Sequence, residues 1–271
     1  MDSIHAFILG VVQAVTEFLP ISSSGHLLAA HDILGFDMAD SLRFDAALHL
    51  GTLLALFAFF WRDVVAMVKG FFRSLRHWDV RNDPDQRLVW MVIAGAIPAG
   101  IVGLVAESWI ETNTRNLWLV CATLIIGAAA FWIVEAWARK QPQTSNITLR
   151  SAIVIGLAQV IALIPGISRS GATLVAGLGR KLDRVTAARY AFLVSLPVVT
   201  GAGVMKLTDI ASGSPAPGEL RDVAIGIATS AILGYVVIRF LLRFVQHHSL
   251  SAFAWYRVVA AVAIGIYLVV R

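Results

Sequence analysis

Charged side chains are scarce in this 271-residue chain: they make up 14% of it, whereas 58% of the residues are hydrophobic. A soluble domain of this size has roughly 25% charged and 45–50% apolar residues. One globular core does not need so much apolar surface, so we predict that lipid is the solvent. The net charge of +5 is no indication of nucleic acid, because the 22 basic residues fall in the gaps between apolar runs. We therefore expect membrane lipid, and no nucleic acid, as a partner.

Cysteine is also nearly absent, since Cys121 is the only one in the sequence. This excludes an internal disulfide framework and a thiolate metal site. Cys121 lies in an apolar run, and we interpret it as a helix-packing residue. The N-terminus lacks the basic segment and the small-residue cleavage site of a signal peptide, so we expect it to remain in the mature protein.

Long apolar runs, in contrast, are abundant, and a helix needs about 20 such residues to cross a bilayer. Six runs qualify, at 43–62, 87–107, 115–138, 185–207, 222–244 and 252–270. Two further apolar stretches, 4–34 and 148–179, are interrupted by Pro, Ser and Gly, and each remaining piece is too short to cross alone. They predict two re-entrant helix–turn–helix hairpins. Irregular backbone at this depth persists only where protein or a water-filled cavity covers it, so we expect functional residues at the two breaks.

The distribution of Lys and Arg predicts the orientation. Basic residues concentrate around 62–87, 139–150, 180–184 and 239–243, whereas the links at 107–115 and 209–221 contain few. Cytoplasmic loops carry the excess of basic residues, which puts both termini outside. The first hairpin then enters from the outside and the second from the inside. Aromatic residues of the kind found at membrane interfaces lie near the span ends: Trp61, Trp109, Trp118, Trp137, Trp255 and Tyr256.

The two broken stretches are related by an internal repeat, which a shift of 146 residues aligns without a gap (Ser22 onto Ser168). The chemically specific matches are Gly10 with Gly156, Gln13 with Gln159, Ser24 with Ser170, Gly25 with Gly171 and Arg43 with Arg189. Three spans separate the copies, so the second copy must be inverted. We predict an all-α polytopic protein with a single membrane domain, 1–271, built from repeats at about 4–107 and 148–246. In such inverted repeats, broken helices place the binding site near the bilayer midplane. We interpret Arg43 and Arg189 as symmetric structural anchors.

The first break holds a carboxylate and a histidine. Gln13 and Glu17 lie four residues apart and share a helix face. A charged residue at a helix centre costs about 2.5–3.5 kcal/mol in the membrane, which disfavours a purely structural Glu17. The residues that follow have the composition of a turn and a helix N-cap: Ser22, Ser23, Ser24 and Gly25. Their N–H groups suit a phosphate, although ordinary capping explains the serines equally well. His26 falls in the first turn of the next helix.

The second break holds an arginine at its centre. Arg169 is flanked by Ser168 and Ser170, with Thr173 one turn further along. A guanidinium at this depth needs an anion, and its planar fork binds phosphate oxygens bidentately. The alternative is an ion pair with Glu17 that only locks the two hairpins together.

Brought together, the two tips would combine a carboxylate, a histidine, hydroxyls, an arginine and two helix N-termini, which is the set that phosphoryl transfer requires. Mg²⁺ uses one or two carboxylates plus substrate phosphates, so a diphosphate could complete its ligand shell. The depth of the site predicts a lipid-borne substrate. A supporting role stays open for His49 and Asp45, near the outer end of the first span.

These motifs carry a resemblance. The run from Gln13 through Glu17-Phe-Leu-Pro-Ile-Ser-Ser-Ser-Gly-His26, together with Pro165-Gly-Ile-Ser-Arg-Ser170 and Thr173, resembles the two signature motifs of the BacA/UppP-type undecaprenyl-diphosphate phosphatases. The resemblance extends over the whole chain in length, hydropathy and motif order. It implies a divalent-metal-dependent enzyme (Mg²⁺ or Ca²⁺) of the bacterial cytoplasmic membrane. Such an enzyme removes the terminal phosphate of undecaprenyl diphosphate at the outer face, recycling the carrier lipid for cell-wall synthesis, and its loss sensitises cells to bacitracin.

The resemblance also implies roles for individual residues. Glu17 would be the acidic catalytic and metal-linked residue, Ser23 and His26 the candidates for nucleophile or general acid/base, and Arg169 the phosphate clamp. The remaining pocket residues would be Gln13, Ser22, Ser24, Gly25, Ser168, Ser170 and Thr173. Many family members have a second Glu where this chain has Gln13, so metal binding here would rest more heavily on Glu17. Whether Ser23, His26 or water attacks stays open, as does assembly into a homodimer.

Two alternative functions can be compared with this one. Inverted repeats with broken helices also occur in transporters, so a lipid-phosphate flippase is the alternative. A pure carrier, however, has little need of a Glu/Ser/His set beside the arginine. A second class of membrane lipid phosphatases uses Lys-x6-Arg-Pro and Ser-Arg-x5-His motifs. This chain contains no Arg-Pro, and Val175 stands where the histidine would follow Ser168-Arg169, which excludes that class.

Overall fold

The computed structural model describes residues 3–35, 38–211 and 219–271, without the side chains of residues 38–43, 107, 108, 111, 206–211 and 219. Within these ranges the chain is helical and contains no β-sheet. The helices are α1 (Ser3–Phe18), α2 (Ser23–Leu34), α3 (Met38–Phe59), α4 (Trp61–Arg76), α5 (Pro84–Thr114), α6 (Leu117–Ala138), α7 (Leu149–Ile161), α8 (Arg169–Gly179), α9 (Arg184–Ala211), α10 (Glu219–His247) and α11 (Ser251–Val270).

Five of these helices contain segments long and apolar enough to cross a membrane, in the part of the chain that the structure describes. The segments are Pro84–Ala106, Leu117–Ala138, Arg184–Met205, Leu220–His247 and Ser251–Val270. They match five of the six predicted spans, which confirms an all-α polytopic membrane protein. The predicted span at 43–62 corresponds to α3. It completes a sixth span only when its described part, Phe44–Phe59, is taken together with α4.

Helix α4 differs from the sequence analysis, which treated this region as a link. It follows α3 after a bend of 76° at Phe60. Apolar residues on one side of α4 are exposed, with Phe72 and Leu75 more than 60% accessible, while basic residues occupy other positions of the same helix. Charged residues at helical spacing interrupt an apolar run in the sequence without interrupting the helix. A search for long apolar runs therefore does not detect α4. Asp63 on α4 pairs with Arg189 on α9 at 2.7 Å, so Arg189 links these two helices. The side chain of Arg43, its predicted counterpart, lies outside the described part of the structure.

The two broken stretches form the predicted helix–turn–helix units, α1–α2 and α7–α8. Each long arm packs against a helix of the other half of the chain: α1 lies along α10, and α7 along α5. Glycines allow both approaches, because a Cβ at Gly10 would lie 2.8 Å from Thr229 Cβ and one at Gly156 would collide with the Gly95 carbonyl. Small residues at helix interfaces permit such contacts in membranes. The two halves are therefore interlocked.

The outer surface of the bundle is apolar. Large side chains such as those of Leu104, Ile133 and Val269 are between 69% and 76% exposed. A soluble monomer rarely presents apolar surface on this scale, whereas lipid covers it without cost. All six aromatic residues assigned to the interface belt are exposed or partly exposed: Trp61, Trp109, Trp118, Trp137, Trp255 and Tyr256.

Candidate functional site

The tips of the two hairpins meet inside the bundle. The Ser170 hydroxyl of the second hairpin lies 3.3 Å from the carbonyl oxygens of both Glu17 and Leu19 in the first. A Cβ at Gly25 would lie 3.6 Å from the Cα of Gly166, so the two turns are almost in backbone contact. Residues more than 140 positions apart in sequence thus form one site.

The two turns have the same local geometry. Ser22 and Ser168 both have positive φ angles, 77° and 74°, a region that non-glycine residues rarely adopt. Each serine caps the following helix, with its Oγ accepting from the N–H of Gly25 at 3.4 Å or of Gly171 at 3.1 Å. The predicted N-caps are confirmed. Strained backbone of this kind concentrates at functional sites, where the surrounding structure holds it in place.

Glu17 lies at the end of α1 and has three neighbours of chemical interest. The Ser23 hydroxyl donates a hydrogen bond to Glu17 Oε2 at 2.5 Å. His49 Nε2 on α3 is 3.6 Å from the same oxygen, and Arg169 is close enough to interact electrostatically with the carboxylate. A carboxylate that accepts a hydrogen bond from a hydroxyl group is placed to act as the general base for that hydroxyl.

His26 has hydrogen-bond partners at both ring nitrogens. Nδ1 donates to the carbonyl of Ser22 at 2.7 Å, because a carbonyl oxygen only accepts. In the neutral ring, Nε2 then accepts from the Tyr256 hydroxyl at 2.9 Å, and the two rings are stacked. Tyr256 therefore contacts the site as well as lying at the protein surface.

Gln13, one turn before Glu17, is fully buried. Its amide nitrogen lies 3.5 Å from Thr52 Oγ1, and its carbonyl oxygen finds no hydrogen-bond partner among the described residues. An unsatisfied buried oxygen near a carboxylate suits a hard divalent cation. The described residues include no group of three or more His, Cys, Asp or Glu side chains arranged to hold a metal ion. Such an ion would therefore need oxygen ligands from its substrate.

A cavity of about 210 Å³ includes His49 and Arg169 in its lining, whereas Glu17, Ser23 and His26 are not among its lining residues. Its polar lining consists of Ser24, Asp45, His49, Thr114, Arg115 and Arg169. The apolar lining comes from α2, α3, the C-terminal part of α5, the second turn and the C-terminal half of α9. The cavity thus reaches from the hairpin tips to the link between α5 and α6.

The predicted residues are together but not equivalent. Ser24 and Arg169 line the cavity directly. Ser22, Ser168, Ser170 and Thr173 are buried, and their hydroxyls bond the backbone of the two turns, Thr173 donating to the Arg169 carbonyl at 2.8 Å. These four side chains therefore stabilise the conformation of the two turns, and the turns position Ser23 and Arg169.

The sequence analysis missed Arg257 on α11. Its guanidinium is completely buried and donates to five carbonyl oxygens at 2.9–3.3 Å. These carbonyls belong to Pro20 in the first turn, Gly166 and Ile167 in the second, and Thr123 and Leu124 on α6. The five N–H donors of one arginine match five acceptors, so this side chain joins both turns to the bundle. An arginine within the apolar run 252–270 was the available signal, because a buried charge in a span requires partners.

His49 is the second residue that sequence reasoning underestimated. It lines the cavity and faces Glu17, while its Nδ1 donates to the Asp45 carbonyl at 2.8 Å. Asp45 lines the cavity as well and contacts His31 and Arg115. A helical spacing of four residues places Asp45 and His49 on one face of α3.

Fold and site together define a polytopic membrane protein in which two re-entrant hairpins bring a hydroxyl–carboxylate pair beside an arginine-lined cavity. The family model of the bacitracin resistance protein BacA matches residues 6–263, and the chain belongs to this family. It is similar to proteins named undecaprenyl-diphosphatase in several bacteria. The similarity is 42% identity to the Rubrobacter xylanophilus protein over 98% of both chains, and 44% to the Geotalea daltonii protein over 95% of both. Identity to the Geobacter sulfurreducens protein is 42% over the full length of both chains.

Proposed function

We propose that this protein is an undecaprenyl-diphosphate phosphatase, which hydrolyses the diphosphate to undecaprenyl phosphate and inorganic phosphate. The observation that carries the proposal is the hydrogen bond from the Ser23 hydroxyl to Glu17, next to a cavity that Arg169 lines. A hydroxyl beside a base supplies an activated nucleophile, and a guanidinium stabilises the charge of a transferring phosphoryl group. Family membership and relatives named undecaprenyl-diphosphatase support the same activity. A flippase would not need the Ser23–Glu17 pair.

In the proposed mechanism, Ser23 Oγ attacks the terminal phosphorus and Glu17 accepts the hydroxyl proton. The bond from that phosphorus to the bridging oxygen breaks, and undecaprenyl phosphate leaves with the bridging oxygen. Water then attacks the phosphoserine and releases its proton to solvent. The bond from phosphorus to Ser23 Oγ breaks, Oγ takes back the proton that Glu17 holds, and inorganic phosphate leaves with the water oxygen. Two successive displacements at one phosphorus require a nucleophile within reach of a base, which the 2.5 Å contact supports.

Arg169 supplies the positive charge for this reaction. It is the first residue of α8, so its guanidinium and the N-terminal end of the helix dipole favour an anion at the same place. A planar fork at the cavity wall suits two oxygens of the transferred phosphoryl group.

His26 takes a positioning role in this proposal. Its Nε2 lone pair is occupied by the Tyr256 hydroxyl, and its Nδ1 proton is bound to the strained Ser22 carbonyl. A nucleophile needs a free lone pair, so this geometry favours Ser23 over His26. His26 would then fix the turn that presents Ser23.

A divalent ion, Mg²⁺ or Ca²⁺, fits beside Glu17 and the unsatisfied carbonyl oxygen of Gln13, if the diphosphate supplies the remaining ligands. When bound, such an ion would neutralise charge on the phosphate oxygens. We expect EDTA to abolish phosphate release by the purified protein, and Mg²⁺ or Ca²⁺ to restore it. Full activity after thorough chelation would argue against a metal requirement.

We further propose that the cavity opens on the outer face of the bacterial cytoplasmic membrane. The α5–α6 link that borders the cavity belongs to the segments poor in Lys and Arg, which favours the outside. The exposed apolar surface of the bundle supports lateral delivery of the polyprenyl chain from the bilayer.

The direct test is phosphate release from undecaprenyl diphosphate by the purified protein in detergent or nanodiscs. Glu17→Gln and Arg169→Ala should each lower kcat/KM by about 10²–10⁴, because they remove the base and the charge clamp. Arg189→Ala is the matched control for loss of an arginine, since Arg189 pairs with Asp63 away from the cavity. Near-normal turnover in either site variant would remove that residue from the mechanism, and an inactive wild-type protein would refute the activity itself.

A further inference from the structure

The cavity contains a second guanidinium, which the proposed mechanism does not use. Arg115 follows α5 at the link to α6 and lines the same cavity as Arg169. Its side chain is only 14% exposed. Cationic side chains in a membrane protein are rarely buried without a functional or structural partner, so the partners of Arg115 decide its role.

The hydrogen-bonding capacity of Arg115 is poorly used in this structure. Its only ion pair among the described residues is a single contact from a terminal nitrogen to Asp45 Oδ2, at 3.6 Å. The Nε atom is buried and has no hydrogen-bond partner in the described part of the chain. Arg257, which has a structural role, instead uses all its N–H groups in five hydrogen bonds to carbonyl oxygens. An arginine with an unused N–H beside a cavity is suited to an incoming bidentate anion.

Asp45 does not depend on this contact. Its other carboxylate oxygen, Oδ1, is 2.7 Å from His31 Nε2, which is a much shorter contact than the one to Arg115. Arg115 can therefore exchange Asp45 for another anion without leaving a buried carboxylate unpaired. When an anion binds in the cavity, Arg115 can therefore leave Asp45 and contact the anion, while Asp45 keeps its contact with His31.

We propose that Arg115 binds the inner phosphate of the substrate, the one that remains on the lipid, and so contributes to the affinity for both the diphosphate and the lipid monophosphate. This inference rests on the proposed function, in which Ser23, Glu17 and Arg169 act on the terminal phosphoryl group. The inner phosphate is one bridging oxygen away from that group and must also lie in the cavity. Two guanidiniums in one cavity match two adjacent phosphates, and the apolar lining beyond them suits the polyprenyl chain.

The test measures binding rather than turnover, with two non-hydrolysable probes: farnesyl methylenediphosphonate and farnesyl phosphonate. Titration of the purified wild-type protein should give tighter binding of the diphosphonate. Arg115→Ala should weaken diphosphonate binding by roughly 10- to 100-fold, the effect of losing a charge-assisted bidentate contact. Its binding of the monophosphonate should weaken by a similar factor, because the single phosphonate is attached to the lipid and occupies the inner position. Arg169→Ala, in contrast, should weaken the diphosphonate alone. Arg115→Lys keeps the charge without the fork, and its affinities should fall between those of the wild-type protein and Arg115→Ala.

Asp45→Asn distinguishes substrate binding from a structural pair. If Arg115 serves only to pair with Asp45, this substitution will weaken both probes as much as Arg115→Ala does, and the inference is overturned. If the inference holds, Asp45→Asn releases Arg115 and leaves the affinity for both probes close to that of the wild-type protein. Arg115→Gln, checked by thermal melting, replaces Arg115→Ala should the latter fail to fold. Unchanged monophosphonate binding in Arg115→Ala also refutes the inference. A wild-type protein that binds the diphosphonate but releases no phosphate from undecaprenyl diphosphate refutes the proposed reaction instead.

Discussion

At the scale of single residues, the two serines next to each other in the first turn have different surroundings. Ser23 donates to Glu17 at 2.5 Å, whereas Ser24 faces the cavity and lies 3.3 Å from Ser22 Oγ. The sequence Ser22-Ser23-Ser24 shows three equivalent hydroxyls. Because α2 begins at Ser23, the hydroxyl of this serine alone points toward Glu17 at the end of α1.

This difference predicts unequal effects of two neighbouring substitutions. Ser23→Ala should lower kcat by about 10³ or more, because it removes the nucleophile that the mechanism assigns. Ser24→Ala removes a cavity hydroxyl and should change kcat/KM by only a few-fold. Steady-state phosphate release measures both, and trapping of a phosphoserine after an acid quench of the wild-type protein identifies the attacking atom.

His26→Ala provides the complementary comparison. A positioning role predicts a loss that His26→Gln partly restores, since an amide can still bond Ser22 O or Tyr256. Phosphate on His26 after a separate alkaline quench, which preserves the acid-labile phosphohistidine, would contradict the assignment of Ser23. Equal loss in His26→Gln and His26→Ala with Ser23→Ala still active would contradict it as well.

At the scale of elements, the second turn depends on a glycine. Gly166 has a φ of +89°, and a Cβ at this position would collide with the Thr123 hydroxyl of α6. That hydroxyl donates to the Pro165 carbonyl at 2.8 Å, so the turn and α6 are in direct contact. The glycine is required here by both backbone conformation and space.

Gly166→Ala should therefore destabilise the protein by at least about 2 kcal/mol and displace Arg169. Gly265→Ala, in α11, is the matched control, because a Cβ there meets nothing within 4 Å. Replacing a glycine by alanine inside a helix is neutral to favourable by up to about 1 kcal/mol. Apparent melting temperatures of the two variants in the same detergent measure the contrast, and equal melting temperatures would contradict it.

At the scale of the whole molecule, Arg257 connects the hairpins to the bundle. Replacing it by Met removes a donor from five carbonyls. Those of Thr123 and Leu124 lie inside α6, whereas those of Pro20, Gly166 and Ile167 lie in the turns, and each carbonyl left without a partner costs about 1–3 kcal/mol. We expect Arg257→Met to lower the apparent melting temperature strongly and to abolish phosphate release. Arg257→Lys keeps the charge but has three donors for five acceptors, so it should restore only part of both properties.

Arg271→Met is the control for this prediction. Arg271 immediately follows the same helix, and its side chain is 59% exposed and pairs with Asp32 near the surface. A surface ion pair contributes about 0–1 kcal/mol, so this variant should melt close to the wild-type protein. A similar loss in Arg271→Met and Arg257→Met would remove the special role of the buried guanidinium.

The membrane orientation gives a second prediction at this scale. In a Cys121→Ser background, Asn113→Cys and Gln143→Cys each place a thiol at an exposed position, the first in the last turn of α5 and the second in the link between α6 and α7. The proposed orientation predicts that a membrane-impermeant maleimide labels intact spheroplasts through Asn113→Cys alone. Both variants should react after lysis. The reverse pattern would place the cavity on the cytoplasmic side.

The long apolar runs could be read directly from the sequence, because every backbone polar group in lipid must be satisfied within a helix. Five spans and both interrupted hairpins follow from that rule. Helix α4 does not, since its apolar residues are spaced along one face among charges and never form a run. The N-caps Ser22 and Ser168 also follow from local sequence, because the serine hydroxyl bonds an N–H only three residues away.

The sequence alone therefore determined the membrane setting, the two breaks and the residues on them, since each rests on short-range spacing and on the cost of burying polar groups in lipid. Tertiary structure alone decided which of those residues meet. The approach of His49 to Glu17 and the contact of Arg115 with Asp45 depend on how α1, α3 and α5 pack, and the Ser23–Glu17 bond depends on how the turn folds α2 back onto α1. The contacts of Arg257 with both turns join residues about 90 to 240 positions apart. No local sequence pattern indicates these contacts. The helices of the two halves interlock, so the separation of two residues in the sequence does not predict their distance in space.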